Sequence, residues 1–420
     1  MQDVTIEEKT IPKGYKNSTL GVIPKNWDVM RLGDITNLLT NGFVGKAKDH
    51  YVDEANGILY IQGFNVTEVG FNFKGIKYVS LSFDSKNKKS KLKEDDLLTI
   101  QTGDVGVTSV VPKSLEGSNC HALVISRYKS EVAYSRFYHQ YFNSIYGRKK
   151  FKIIETGSTM KHLNVGDMTK VNLPVPPINE QKVIVDCLST WDKAIEKLNQ
   201  LIAQKELRKK GLMQELLFGI KRLKGFNSDW KECLIRDIAT EMNLKNKLDK
   251  QLTVLSCTKY DGLVPSLEYF GRRIFSEDIS TYKIVSRNHF AYATNHIEEG
   301  SLGYQERFDE ALISPMYTVF KTSDLIDDVF FYKLLKSHRM VAEYGARMEG
   351  SIDRRGGLRW SAFSIIRVKL PTLEEQMAIA NVLKSADKEI QLLKNKLEQL
   401  KLQKKGLMQV LLTGKKRLIK

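Results

Sequence analysis

The stretch KKGLMQELLFGIKRL at residues 209–223 is nearly repeated as KKGLMQVLLTGKKRL at residues 404–418. With a shift of 195 positions, residues 176–223 align with residues 371–418 without a gap, and roughly half of the aligned residues are identical. A gapless match of this length indicates an internal duplication. The identical polar pairs include Glu180 and Glu375, Gln181 and Gln376, Asp192 and Asp387, and Lys193 and Lys388.

Each copy carries apolar residues in steps of three and four, the spacing of one helix face and of a coiled coil. The predicted seam is Leu188, Trp191, Ile195, Leu198 and Ile202 in the first copy and Leu383, Ile390, Leu393, Leu397 and Leu400 in the second. Prolines precede and glycines follow each copy, so we expect helices of about 40 residues and about 60 Å. The simplest partner for each seam is the other helix of the same chain. Packing on a separate domain and dimerisation of two chains are the alternatives.

The segments that precede the two helices also begin alike, because Trp27 and Asp34-Ile35 match Trp230 and Asp237-Ile238. Apolar runs such as GILYIQGF, HALVISRY, HFAYAT and SPMYTVFK predict strands, and residues 132–151 predict a helix. We therefore predict an α+β fold, in which two α/β domains are separated by two long antiparallel coiled-coil helices with an internal pseudo-twofold repeat. The predicted boundaries are an N-terminal arm at 1–22, a domain at 23–173, a helix at 174–225, a domain at 226–370 and a helix at 371–420.

The composition predicts a cytoplasmic protein that binds a polyanion. The net charge is +17, and charge of this size attracts nucleic acid from a distance. No apolar run is long enough to predict a membrane span, and the first ten residues do not resemble a secretory signal. The four cysteines are scattered, so we expect buried free thiols and no metal site.

The sequence contains none of the common catalytic or nucleotide-binding motifs for which we searched. It contains no phosphate-binding GxxxxGK[ST], no GxGxxG after a strand, no GxSxG and no HExxH. It also has no DPPY-type tetrapeptide, which an adenine methyltransferase needs beside its methyl donor. Asp95 and Asp96 precede an apolar run, where we expect a solvated turn rather than a metal site.

Basic and aromatic residues cluster instead in segments that should form loops. Cations suit phosphates, and forked or planar side chains suit base edges. The candidate DNA contacts of the first domain are Arg127, Arg148, Lys149, Lys150, Thr159, Lys161 and His162. Those of the second domain are Lys259, Tyr260, Arg272, Arg273, Arg354, Arg355 and Arg359. An ordinary solvated cation is the alternative for each of them.

Taken together, these features resemble the specificity subunit of Type I restriction-modification enzymes. The resemblance covers nearly the whole chain. It rests on LGVIPKNWDVMRLGDI at residues 20–35, GSTMKHLNVGDM at 157–168, LPVPPINEQ at 173–181 and the GLMQ and KRL motifs that end both helices. The second copy departs from the pattern where Asn164, Asp167 and Trp191 become Arg359, Ala362 and Ala386, so we expect a differently seated loop there.

The resemblance implies that each domain reads one half of a bipartite, asymmetric sequence in double-stranded DNA. The two helices would dock two modification subunits, which bind S-adenosylmethionine and methylate adenine, and restriction subunits would add ATP- and Mg-dependent cleavage. This chain would hold no cofactor and no catalytic residue. The competing functions are a self-contained DNA-modifying enzyme whose active site is unrecognised, and a coiled-coil adaptor that binds only protein.

Overall fold

The computed structural model describes residues 11–248, 250–349 and 357–418. It divides into two compact units, and each long helix contributes residues to both of them. The first unit comprises residues 1–199 and 396–420, and the second comprises residues 200–395. The domain boundaries predicted from the sequence stay predictions, because this division groups each α/β domain with parts of both helices.

Within its described residues, the first unit contains fourteen short strands and four short α-helices besides the long ones. Its strands are β1 (Tyr15–Ser18), β2 (Gly21–Pro24), β3 (Asp28–Arg31), β4 (Thr36–Asn41), β5 (Tyr51–Val52), β6 (Gly57–Ile61), β7 (Val66–Thr67), β8 (Gly70–Phe71), β9 (Lys77–Ser80), β10 (Leu97–Ile100), β11 (Thr108–Val110), β12 (Asn119–Cys120), β13 (Leu123–Tyr128) and β14 (Asn172–Val175). Its helices are α1 (Leu81–Lys86), α2 (Ser135–Phe142), α3 (Ile145–Ile154) and α4 (Val165–Met168).

The second unit repeats this plan with some divergence. Its strands are β15 (Lys231–Leu234), β16 (Ala239–Met242), β17 (Val254–Thr258), β18 (Gly262–Pro265), β19 (Lys283–Ser286), β20 (His289–Ala293), β21 (Leu302–Gln305), β22 (Glu310–Ile313), β23 (Tyr317–Thr322) and β24 (Arg367–Leu370). Its short helices are α6 (Ile235–Ile238), α7 (Ser266–Phe270), α8 (Asp328–Leu335), α9 (His338–Glu349) and α10 (Trp360–Phe363). The two long helices are α5 (Ile178–Leu216) and α11 (Leu373–Leu411).

One four-stranded sheet has the same topology in both units. Its order is β11-β10-β13-β4 in the first and β21-β20-β23-β16 in the second, with antiparallel neighbours throughout. A two-stranded pair also recurs, β3 with β14 and β15 with β24. The second four-stranded sheet differs, because its order is β12-β6-β9-β5 in one unit and β18-β17-β22-β19 in the other. The duplication therefore keeps the part of each domain that adjoins the helices and varies the distal sheet.

The sequence predicted one helix over residues 132–151, and the structure has two. Helix α2 ends before Asn143. Helix α3 then begins after Ser144, whose side chain accepts a hydrogen bond from the Gly147 N–H. A Cβ on Gly147 would lie 2.3 Å from the Phe142 Cα, so glycine permits this close turn. A similar break separates α8 from α9 in the second unit. Neighbouring packing therefore overrides the continuous helical pattern.

Each long helix follows its prolines and ends before its glycine, as the sequence predicted, although it is shorter than the predicted segments at 174–225 and 371–420. Each contains 39 residues, close to the expected length. Gly219 and Gly414 follow their ends with φ angles of +66° and +70°, the left-handed conformation that terminates a helix. A Cβ on Gly414 would lie 2.4 Å from the Pro24 Cδ, so a side chain is excluded there. Among the described residues, no helix has the length and hydropathy of a membrane-spanning segment.

The two helices pair in antiparallel fashion in each unit, as predicted. In the second unit the Lys205 ammonium lies 2.5 Å from the Glu389 carboxylate, and Lys209 pairs with Asp387. In the first unit Lys404 pairs with Asp192 at 2.6 Å. Six of the ten seam residues are buried and four are half-buried; the buried ones are Leu188, Leu198, Ile202, Leu383, Ile390 and Leu397. Each helix also joins the core of its α/β domain, so the seam is not its sole contact.

Candidate nucleic-acid interface

A polar hairpin loop in the first unit carries three of the predicted DNA contacts. The N–H and carbonyl groups of Thr156 and His162 exchange hydrogen bonds of 2.9 Å, which close the loop between them. Gly157 has a φ of +94°, and its Cβ would lie 2.2 Å from the Met160 carbonyl oxygen, so the turn requires glycine. Thr159 and Lys161 are exposed at the tip. This loop presents a cation and a hydroxyl on a narrow, fixed turn.

The loop is attached to the central sheet of its domain. The imidazole of His162 lies 3.0 Å from both the Gln101 amide and the Thr102 hydroxyl, just after β10. The buried Leu163 donates its N–H to the Gln101 carbonyl. His162 therefore attaches the base of the loop to the sheet. Its side chain is half-exposed there.

In the second unit the segment that corresponds to this loop, residues 351–356, lies outside the described residues, so the expectation of a differently seated loop stays a prediction. Leu358 is buried and donates its N–H to the Thr294 carbonyl just after β20, as Leu163 does after β10. The short helix α10 then occupies the place of α4. The changes to Arg359 and Ala362 fall on positions outside this contact, so they leave the attachment intact. Arg359 is exposed at the start of α10, whereas Arg354 and Arg355 lie outside the described residues.

Two of the predicted arginines have partners within the domain. Arg127 binds the Asp96 carboxylate through two hydrogen bonds of 2.8 and 2.7 Å, and Asp96 is fully buried. The expectation of a solvated turn was therefore wrong for Asp96. Arg148 reaches the Glu68 carboxylate at 2.5 Å and the Val105 carbonyl at 3.1 Å. Contact of either arginine with DNA stays a prediction, but both have structural roles.

Lys149 and Lys150 occupy a different place from the hairpin loop. They line a cavity of about 740 Å³ beside Tyr15 and Leu412, where the second long helix ends. Partial burial lowers the pKa of Lys150. Among the described residues, no ion pair or hydrogen bond connects these lysines with residues 156–162. Lys161, which the sequence had grouped with them, is not among the residues that line this cavity.

In the second unit, two predicted clusters are brought together. Lys259 and Tyr260 form the tip of the β17–β18 hairpin, where the Tyr260 ring is 82% exposed and the Lys259 ammonium lies 5.5 Å from its centroid. The Tyr269 hydroxyl of α7 donates a 2.9 Å hydrogen bond to Asp261 in this hairpin. Arg272 and Arg273 follow directly after α7 and are exposed. One surface thus carries three cations and an exposed aromatic ring.

One group in the described residues brings potential metal ligands together. His296, Glu298 and Glu299 lie on the turn after β20, with ligand atoms within 4.8 Å of one another. His296 and Glu299 already pair at 3.5 Å, and both are more than half exposed. Exposed groups of this kind are common without a metal ion, and the absence of a metal site stays a prediction. The four cysteines are unpaired thiols.

The strongest polar contacts of the repeat were not among the predicted site residues. In the first unit Arg417 binds Glu180 through hydrogen bonds of 2.9 and 2.7 Å, and the Trp27 indole donates to the same carboxylate. In the second unit Arg222 binds Glu375 through two hydrogen bonds of 2.6 Å. Both glutamates are buried, so each pair is a desolvated, bidentate contact. We call these contacts the two helix clamps.

Each clamp joins the start of one long helix to the segment after the end of the other. The signal in the sequence that could have revealed them is the identity of these charged residues in both copies, Glu180 with Glu375 and Arg222 with Arg417. Both clamp arginines have raised pKa values, caused first by the hydrogen bond to their glutamates. The clamps therefore fix the antiparallel register at the two ends of the helix pair.

The glutamine after each clamp glutamate anchors its helix to the α/β domain. Gln181 accepts the Tyr134 N–H at 2.7 Å and donates to the Val132 carbonyl at 2.8 Å. Gln376 accepts the Asp327 N–H at 3.0 Å and donates to the Leu325 carbonyl at 3.2 Å. Both side chains also donate to the carbonyl of the proline five positions earlier, Pro176 for Gln181 and Pro371 for Gln376. The repeated Glu-Gln pair thus holds helix to helix and helix to domain.

An aspartate in each long helix completes the junction. Asp192 accepts from Lys404 of α11 and from Gln140 of α2. Asp387 accepts from Lys209 of α5 and from Lys333 of α8. Burial favours the neutral carboxyl, but the hydrogen bonds and charges of these lysines hold the pKa of Asp387 below its usual value. Three elements therefore meet at one carboxylate in each unit.

These features define a duplicated binding protein, in which two α/β domains with exposed basic loops are each fixed to an antiparallel helix pair. Residues 24–206 match the family model of the Type I restriction modification DNA specificity domain. The curated relatives that match the chain are named specificity subunits of Type I restriction enzymes. Such a subunit recognises DNA and is not itself catalytic.

Similarity to individual proteins extends over nearly the whole chain. The Type I restriction enzyme MjaVIII specificity subunit of Methanocaldococcus jannaschii is 25% identical over 94% of this chain and 93% of its own length. The S subunit of a Type I restriction-modification system from M. genitalium has a TM-score of 0.52 at 17% identity, covering 92% of this chain and 96% of that one. A chain from a study of complex assembly of the type I R-M system has a TM-score of 0.60 at 15% identity, covering 93% and 99%. These two structures establish the fold.

Proposed function

We propose that each α/β domain of this specificity subunit reads one half of a bipartite, asymmetric DNA sequence. The helix pair docks two modification subunits, which bind S-adenosylmethionine and methylate adenine at the recognised site. In this proposal the chain recognises the DNA sequence, and its partner subunits catalyse the methylation. Restriction subunits with ATP and Mg would join the same assembly.

The observation that carries the proposal is the contrast between a repeated frame and divergent loops. The clamps, the glutamine anchors and the junction aspartates recur in both units. The distal parts of the two domains differ, because their second four-stranded sheets have different strand orders and the second unit presents Tyr260 and two arginines beside α7. Two domains that share the same attachment to the helices but present different DNA-contacting surfaces suit the recognition of two different half-sites.

An exchange of one domain tests this proposal. The exchange should span residues 36–170, so that Trp27, β3, β14 and both long helices remain as the acceptor frame. Gln181 would then bind main-chain groups of the introduced segment in place of those of Val132 and Tyr134. With a relative's segment in that place, we expect one half of the methylated sequence to change and the other half to stay the same. Methylation sequencing of DNA from cells that also produce the modification subunit reads both halves at once.

The matched control is the corresponding exchange in the second unit, which should change only the opposite half. If either exchange alters both halves, the two domains do not read independently and the proposal is wrong. Loss of methylation in both exchanged chains, although they still bind the modification subunit, would show that the domains cannot be exchanged as independent DNA-recognition modules. A purified chain that methylates DNA without a partner would establish the competing function, a self-contained enzyme.

A further inference from the structure

The central four-stranded sheets of the two units have one equivalent end. In the first unit β4 and β10 flank β13 and are both antiparallel to it, so they leave the sheet at the same end. The hairpin loop at residues 156–162 is attached to this end through Gln101, directly after β10. In the second unit β16 and β20 flank β23 in the same way, and Leu358 is attached just after β20. The segments that leave β4 and β16 therefore start at the end of the sheet to which the predicted DNA contacts Lys161 and Arg359 are tied.

These two segments each present a pair of lysines. We call residues 42–48, after β4, and residues 243–248, after β16, the exit loops. Lysines separated by one residue occur in both, Lys46 and Lys48 in the first and Lys245 and Lys247 in the second, and all four are exposed. Lys46 lies 3.2 Å from a carboxylate that is itself exposed, and such a pair contributes little. The other three lysines make no ion pair with the described residues.

The first exit loop is held in place by apolar contacts. Ala47, which separates the two lysines, is 4% exposed and packs in a cluster with Phe83. The Phe43 ring meets the Phe83 ring edge-on with 4.8 Å between the centroids. A Cβ on Gly42 would lie 2.6 Å from the Cys120 Sγ, so the loop starts against the neighbouring strand and requires glycine there. The buried residues fix the loop, and both of its lysines point to solvent.

The second exit loop reaches the same arrangement with a different anchor. Asn246, which separates its two lysines, is 1% exposed and donates its N–H to the Tyr282 carbonyl at 2.9 Å. The Asn246 side chain donates to the Lys250 carbonyl at 3.1 Å and accepts the Lys250 N–H at 2.9 Å. A polar anchor thus replaces an apolar one, but the outward lysine pair is retained. The lysine pairs, rather than the way the loops are anchored, are what the two units have in common here.

We propose that the lysine pair of each exit loop binds the phosphate backbone of DNA beside the half-site that its domain reads. This inference rests on the proposed function. The lysine ammonium is a compact charge that suits phosphate oxygens, and no described acidic residue neutralises three of these four lysines. Phosphate contacts fix the position of a protein on the duplex but carry no sequence information directly. The exit loops therefore position each domain, and other loops of that domain read the bases.

The experiment measures how DNA affinity depends on salt concentration. The full chain in complex with its modification subunit is titrated with a fluorescent duplex that carries the methylated sequence and with a duplex that lacks it. Lys46→Gln combined with Lys48→Gln should weaken binding to both duplexes by the same factor, about tenfold at about 0.15 M salt. The slope of log affinity against log salt should become shallower by about 2, one for each lost phosphate contact. Lys245→Gln combined with Lys247→Gln should have the same effect.

The matched control carries the same change of charge at the opposite end of the same sheet. Lys93 precedes β10 and Lys129 follows β13, and these two strands are antiparallel. Lys93→Gln combined with Lys129→Gln should leave the slope nearly unchanged, because salt screens charges that do not touch the DNA. Lys46→Arg combined with Lys48→Arg should keep the wild-type slope, since the charge remains. All exit-loop variants should melt at the wild-type temperature, because the replaced side chains are exposed.

The possible results bear on different claims. If the wild-type complex prefers the methylated sequence but the glutamine pairs keep its salt slope, the exit loops do not touch DNA and the proposed function stands. A change in slope for only one pair, or one equalled by the control, would also contradict the inference. If a glutamine pair alters which sequence is preferred, its lysines contact bases and the assignment to phosphates is wrong. If the wild-type complex binds both duplexes equally, the proposed function itself fails.

Discussion

Replacement of Arg127 by alanine is expected to lower the free energy of unfolding by about 3 kcal/mol, because it leaves a buried carboxylate without its cation. Asp96 is fully buried, and besides Arg127 it accepts only the Lys93 N–H among its described contacts. Urea unfolding of the full chain at pH 7 measures the loss. The substitution tests whether this arginine, which the sequence offered as a DNA contact, supports the central sheet.

The control for this prediction is the neighbouring pair on the same turn. Arg136 lies 3.9 Å from Asp95, and both side chains are more than half exposed. Arg136→Ala should cost less than about 1 kcal/mol, as solvent-exposed ion pairs do. Equal effects of the two substitutions would show that the Arg127 contact does not stabilise the fold.

Removal of a helix clamp should have an effect of similar size. Arg417→Ala takes the bidentate partner from Glu180, which is 2% exposed and keeps only the Trp27 indole as a described partner. We expect a loss of about 3 kcal/mol, and a smaller loss for Arg417→Lys, because an ammonium cannot form the paired hydrogen bonds of a guanidinium. Thermal and urea unfolding of the same chains give the comparison.

The clamp in the second unit provides a second test of this prediction, and an exposed ion pair provides the control. Arg222→Ala should destabilise the second unit to a similar extent, because Glu375 is equally buried. Arg367→Ala should have little effect, since the Arg367 side chain is 74% exposed and meets Glu232 at the surface. If the Arg417 and Arg222 variants unfold as the wild type does, the helix ends are held by apolar packing rather than by the clamps.

The long helices could be predicted from the sequence because their determinants are local. The spacing of apolar residues predicts the seam, and a glycine that can adopt the left-handed conformation predicts where each helix ends. The strands also followed from short apolar runs, as the central sheets show. The break at Asn143 did not follow, because it depends on the contact of Gly147 with the backbone of the preceding helix.

The candidate site was harder to predict, because charge alone does not reveal which cations are already paired. Asp96 and Arg127 are 31 residues apart and meet only through the register of β10 with β13. The clamp of Glu180 by Arg417 joins residues 237 positions apart. By contrast, Thr159 and Lys161 lie on a loop whose glycine and polar residues indicated exposure. Contact of any of these residues with DNA stays a prediction.

Methylation sequencing tests the central claim most directly. DNA would be compared from cells that produce this chain with its modification subunit and from cells that produce either protein alone. We predict methylated adenines in one bipartite sequence, and only when both proteins are present. Methylation of that sequence by either protein alone, or no methylation by a pair that assembles, would contradict the assignment of DNA reading to this chain.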